Sequence, residues 1–172
     1  DISDRKRAEE EVRESQARLA HVIEGTNVGL WDWDIQSGMT VFNERWAQIL
    51  GYTLWELHAA GIHSWRDRIH PADLQESNEL LEKHFAGQVD HYDCEYRVHH
   101  RDGHWVWVHA RGKVVEWTPD GQPLRMSGTH ADITARKQAE EELRQSKLRL
   151  ERSLEELESY SRAAEAATRA KS

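Results

Sequence analysis

Residues His91–Thr134 read HYDCEYRVHHRDGHWVWVHARGKVVEWTPDGQPLRMSGTHADIT, and the punctuation of this stretch decides the fold. Arg101-Asp102-Gly103 and Thr118-Pro119-Asp120-Gly121 are turn chemistry, because Gly supplies the positive φ that a tight turn needs. Between these breaks the spacing predicts three antiparallel strands, Tyr92–His99, Trp105–Glu116 and Leu124–Ala131. Alternation assigns their faces. Tyr92, Cys94, Tyr96 and Val98 share one side of the first strand, with Asp93, Glu95, Arg97 and His99 on the other. In the second, Val106, Val108 and Ala110 alternate with Trp105, Trp107 and His109.

The first turn sets which faces meet. A two-residue loop at Asp102-Gly103 would place Trp105, Trp107 and His109 beside Tyr96 and Val98. A three-residue loop with Gly103 left-handed in a G1 bulge shifts the register by one. That register joins Tyr96 and Val98 to Val106 and Val108 and gives one purely apolar face, so it is the one expected. Trp105 and Trp107 then lie outside among charges, and a helix is expected to cover them.

The 172 residues suffice for one domain of ordinary size plus additional helix. With 38% hydrophobic and 31% charged residues the chain is polar, and no apolar run approaches the ~20 residues of a membrane helix. The chain opens on charged residues, without a signal peptide. The single cysteine, Cys94, permits no internal disulfide and fits a reducing, cytoplasmic compartment. A net charge of −8 argues against nucleic acid as a partner.

Outward from the meander, the strongest internal signal is a repeat. Asp1–Leu19 (DISDRKRAEEEVRESQARL) and Asp132–Leu150 (DITARKQAEEELRQSKLRL) match at twelve of nineteen positions. The repeat brackets one globular unit, as in one period of a tandem array. Three segments follow: an N-terminal charged helix over 1–24 after the end of a preceding unit, a globular domain over 25–134, and a coiled-coil linker helix over 135–172. Both repeat copies lack Gly and Pro and are rich in helix formers. Leu143, Leu150, Leu157 and Ala164 recur every seven residues with Leu154 on the alternate seam position, a heptad pattern. Lys147, Ser161 and Thr168 interrupt the seam. Val12, Leu19 and Ile23 continue the pattern in the first copy. Parallel dimerisation through these helices is expected, with a solvated single helix as the alternative.

Between the first helix and the meander, Leu30–Ile35 alternates, with Trp31 and Trp33 on one face, and Thr40–Phe42 is its partner strand after the Ser37-Gly38 turn. Asn43 is placed to cap a short helix carrying Trp46, Ile49 and Leu50 that stops at Gly51. A second short helix spans Leu54–His58, and Trp65 and Ile69 are core anchors. His70-Pro71-Ala72-Asp73 opens a helix ending at Gly87. Two strands, several short helices and three strands make an α+β sheet with helices on one face.

At this point the sequence resembles the PAS fold with its C-terminal PAC portion, over about Arg18 to Thr134. The resemblance is carried by Asn43-Glu44-Arg45-Trp46 through Gly51-Tyr52-Thr53, by Ile69-His70-Pro71-Ala72-Asp73, and by Glu95-Tyr96-Arg97-Val98. It continues through Arg101-Asp102-Gly103 with Trp107 and Gly128-Thr129-His130-Ala131-Asp132-Ile133-Thr134. It implies a five-stranded antiparallel sheet cupping a small pocket, with short helices on one face and flanking helices of coiled-coil type at both ends. Ala164–Ser172 is similar to the linker that precedes the phosphoacceptor helix of sensor histidine kinases; diguanylate cyclases follow PAS domains through similar helices.

No catalytic constellation is present: no phosphate loop, nucleophile elbow or paired-cysteine metal spacing. His99, His100, His104 and His109 form the densest histidine group, but they lie on or near a solvent-facing hairpin and no metal is expected. His70 reads as a helix cap and His84 as a residue comfortable at a helix end. The light-sensing LOV branch of the family needs a cysteine in the helical segment, and Trp46–Phe85 has none. Cys94 reads as a small buried strand residue. His130 resembles the strand position that contacts the flavin ring in LOV domains. The inner wall of Trp31, Trp33, Tyr92, Tyr96, Val98, Val108, Met126 and His130 could line a pocket for a planar ligand. A filled core is favoured, so no cofactor is expected; flavin or another small planar molecule is the alternative, and haem is disfavoured.

The resemblance therefore implies a sensory or signal-relay module of a cytoplasmic, dimeric signalling protein, with a histidine kinase as the expected whole. Conformational change would pass from the inner face to a relay face of Trp105, Trp107, His109 and Asp132, then along the leucine seam to an output domain. The expected partners are a second copy, through the flanking helices, and neighbouring PAS and output domains in the same chain. A ligand-free dimerisation spacer, a cofactor-bound redox or gas sensor, and the input domain of a diguanylate cyclase are the alternatives.

Overall fold

A computed structural model covers all 172 residues, Asp1–Ser172. Tyr96 pairs with Val108 and Val98 with Val106, the register that the three-residue turn demands. Gly103 adopts φ +92°, and the loop closes with His100 N–H donating to His104 O at 2.9 Å. One antiparallel sheet contains β1 (Gly29–Asp34), β2 (Thr40–Phe42), β3 (Tyr92–His99), β4 (Trp105–Trp117) and β5 (Pro123–Asp132), in the order β2-β1-β5-β4-β3. The helices are α1 (Ile2–Thr26), α2 (Glu44–Ile49), α3 (Leu54–Ala59), α4 (Pro71–Phe85) and α5 (Thr134–Lys171), with a 3-10 turn over Arg66–Arg68.

Local chemistry accounts for the element ends. The Asn43 side chain accepts from Trp46 N at 3.0 Å, capping α2, and from Leu30 N at 2.8 Å, tying that cap to β1. Thr53 and Glu56 form a reciprocal capping box on α3. His70 caps α4 through Nδ1, with Pro71 in the first turn. Asp73 does more than favour the helix dipole. Its carboxylate accepts from Arg97 N at 3.0 Å, Nε at 2.8 Å and Nη2 at 2.7 Å, fastening α4 to β3.

Three local expectations are corrected. Gly25 is still helical, because α1 runs on to end at left-handed Asn27 (φ 53°). Asp132 pairs with Val108, whereas the partner of His109 is Ala131. With a period of two, Asp132 therefore belongs to the inner-facing row of β5 and is not beside Trp105, Trp107 and His109. His84 sits in the last turn of α4 as expected, but buried and uncharged: its Nε2 accepts from Val114 N at 3.0 Å, so Nδ1 donates to Val89 O at 3.0 Å. This latch ties α4 to β4 beside the register shift at Val115.

The outer face of β4 is dressed by side chains from the sheet edge. His70 and His99 meet the Trp105 ring at 4.5 and 5.3 Å between centroids, and the Arg97 guanidinium lies 5.3 Å from the Trp107 ring centre. The chain divides into two compact units, Asp1–Ile133 and Thr134–Ser172. The second is helix α5, none of whose side chains is buried. No helix is long and apolar enough to cross a membrane.

Candidate functional site

The inner face of the sheet gathers Trp31, Trp33, Tyr92, Tyr96, Val98, Val108, Met126 and His130, each at most 6% exposed. Trp46 and Trp65 join them from α2 and from the loop before the 3-10 turn. Trp31 stacks on Trp65 with centroids 5.0 Å apart, and Trp33 meets Trp65 edge-on at 5.0 Å.

Two glycines make room for this packing. Gly112 and Gly128 pair across β4 and β5, and Trp31 pairs with Gly128 across β1. A Cβ on Gly128 would come within 2.2 Å of Arg111 O and 2.4 Å of the Trp31 ring, and one on Gly112 within 2.4 Å of that ring. The indole of Trp31 thus lies in the hollow that the missing side chains leave. The remaining void, lined by Trp46, Ile49, Leu50, Val98, Val108 and His130, measures about 10 Å³, about the least that holds one water.

Polar pairing is concentrated at His130. Trp46 Nε1–H donates to Nδ1 at 2.7 Å, and Nε2 lies 2.5 Å from the Tyr96 hydroxyl. An indole nitrogen can only donate, so Nδ1 is the acceptor and Nε2 carries the proton. Burial, with His109 adding a little, pushes the His130 pKa down to about 3, which keeps the ring neutral. The Tyr96 hydroxyl then receives the Nε2 proton. Tyr92 bonds Ser77 Oγ at 2.8 Å. These contacts tie α2 to β5 and β3, and β3 to α4. Burial raises both phenols well above the usual tyrosine range, and pushes the Cys94 thiol up to about 11. None is poised to ionise near neutral pH.

Sequence reasoning found eight inner-wall residues but not their partners. In the sequence Trp46 and Trp65 read only as helix and core residues, and Ser77 gives no signal. Nothing in a linear sequence pairs residues 46 and 130. Of the histidine group, His99 turns to Trp105 and His109 Nε2 bonds Asp93 at 2.7 Å, so only His100 and His104 come together.

A family profile described as the PAS fold matches residues 39–130. The chain belongs to the PAS family. Its PAS domain is similar to a sensory box histidine kinase/response regulator from Burkholderia thailandensis, with 35% identity over 78% of this chain and 98% of that one, and a TM-score of 0.68. The N-terminal domain of a diguanylate cyclase with PAS/PAC sensor from Marinobacter aquaeolei shares the fold, with 24% identity over 64% of this chain and 98% of that one, and a TM-score of 0.53. A blue-light-activated histidine kinase of Brucella ovis is 27% identical over 80% of this chain and 26% of its own length. The chain spans about a quarter or less of the curated relatives it matches. These relatives place the domain among the PAS sensors of signal-transduction proteins.

Light-sensing relatives make flavin the cofactor to test against this PAS domain. Its inner wall as folded does not fit one. Trp31 fills the hollow over Gly112 and Gly128, the void left is about 10 Å³, and no cysteine occurs between Trp46 and Phe85.

Proposed function

We propose that this PAS domain is a non-catalytic relay in a dimeric signalling protein, a sensor histidine kinase in the whole chain, and that it works without a bound cofactor. The observation that carries the reading is the state of α5. Leu143, Leu150 and Leu157 recur every seven residues on this 38-residue helix and are 61, 60 and 64% exposed, with Leu154 at 50%. An isolated helix gains nothing from a leucine stripe, whereas a second copy would bury it in a two-stranded seam. Val12 and Leu19 on α1 are exposed in the same way, and Ala164 extends the α5 stripe. Lys147 and Ser161 weaken the seam, which leaves two helix arrangements close in energy, as a relay requires.

A neutral, fully paired His130 and a filled inner wall support mechanical rather than chemical signalling. The same filled wall also favours a second reading, a ligand-free spacer that only holds two chains in register. Leu150→Asp separates the readings. Native mass spectrometry of the intact chain should show a dimer without a bound organic cofactor, and the variant should be monomeric. In the full-length protein the variant should change kinase output. Unaltered output after loss of the dimer would leave the spacer, and a wild-type monomer would remove the coiled-coil argument.

A further inference from the structure

The β3–β4 turn, His100-Arg101-Asp102-Gly103-His104, carries chemistry that the relay does not use. His100 and His104 are joined across the hairpin by a backbone hydrogen bond of 2.9 Å, and their rings stack with centroids 4.2 Å apart and planes 25° from parallel. Asp102 Oδ2 lies 3.5 Å from His100 Nδ1. One ring nitrogen of each histidine and one carboxylate oxygen of Asp102 all fall within 4.8 Å of one another. We propose that this turn binds a divalent transition metal ion of the zinc, nickel and copper class through His100, Asp102 and His104.

The donor set selects the class. Two imidazoles and one carboxylate suit borderline ions, whereas calcium and magnesium require oxygen shells. Asp102 and His104 are exposed, so water can complete the coordination. The turn is also held in place. Gly103 at φ +92° fixes its tight corner, and the His100 ring packs against Gly51 so closely that a Cβ there would come within 2.4 Å of Cε1 and Nε2. Nδ1 is therefore the ring atom of His100 open to an ion. Coordination there replaces its 3.2 Å contact with Asp102 N–H, exchanging one neutral hydrogen bond for a set of coordinate bonds.

The nearest cation is turned away. Arg101 Nη1 reaches Gly51 O at 3.0 Å and the Glu56 carboxylate at 3.2 Å, with its guanidinium over Tyr52. His99 and His109 are engaged with Trp105 and Asp93 and take no part. Binding at this turn stands whether or not the domain is a relay.

Calorimetric titration of the intact chain with zinc chloride near neutral pH tests the proposal. The expected result is one ion per chain, with affinity lowered about tenfold or more in His104→Ala and Asp102→Asn and unchanged in His109→Ala. Ring-nitrogen NMR of the wild-type chain should show zinc-dependent shifts at His100 and His104, a reading that needs no variant. Absence of saturable binding, equal affinity in His104→Ala, or shifts confined to other histidines would overturn it.

Discussion

Nδ1 of His130 accepts the indole N–H of Trp46 at 2.7 Å, and this contact orders the polar interior. Because the indole can only donate, it selects the imidazole tautomer and so the direction of the hydrogen bond to Tyr96. Gln at 130 offers an acceptor and a donor of its own, whereas Leu offers neither. His130→Leu should therefore destabilise the domain by about 2–6 kcal/mol, since it strands two buried groups at about 1–3 kcal/mol each. His130→Gln should cost less than half as much. Thermal melts followed by circular dichroism compare them; equal losses would show that His130 acts through volume alone.

Burial holds the His130 pKa at about 3, against about 6.5 in an unfolded chain. Between those values the unfolded chain binds a proton that the folded chain refuses, so acid favours unfolding. His130 should make the folded state less stable by about 1.4 kcal/mol for each pH unit below about 6.5. Denaturant melts from pH 7 to 4 should show a steeper loss for the wild type than for His130→Gln. Parallel curves would mean that the ring is already protonated in the fold.

Gly128 and Trp31 share one space, since a Cβ at 128 would lie 2.4 Å from the indole. Gly128→Ala should cost about 1–3 kcal/mol, the range for overpacking. Trp31→Ala should lose about 3–5 kcal/mol by opening a cavity, and added indole should raise the melting temperature of that variant but not of the wild type. A wild-type chain stabilised by indole would instead show that the wall opens to ligands unaided.

Asp73 grips Arg97 through three hydrogen bonds at positions that are largely buried, the two side chains being 16 and 29% exposed. Asp73→Asn should cost about 1–3 kcal/mol at neutral pH, the scale of charged hydrogen bonds. The Arg97 hydrogen bonds hold the Asp73 pKa below its ordinary value. Its contribution is thus complete above about pH 4, the unfolded value, and fades as pH falls through the lower folded one. Urea midpoints for the two proteins should converge in strong acid; a gap that persists there would point to packing instead of charge.

The sequence alone determined what is local or periodic. Alternation in Tyr92–His99 and Trp105–Ala110 assigned the inner face, and Gly103 chose the register, because a one-residue slip exchanges every side chain between faces. Asn43 and His70 were legible as caps, since a cap bonds within three residues. Contacts between distant segments were not legible. Trp46 meets His130 across 84 positions, Ser77 meets Tyr92 beneath α4, and His84 reaches Val114. Asp132 shows the same limit, because its face follows from pairing with Val108. Whether the inner wall was pocket or plug also waited for the tertiary structure. Composition counts the indoles, but only packing puts Trp31 into the hollow over Gly112 and Gly128, where volume rather than residue type decides what remains open.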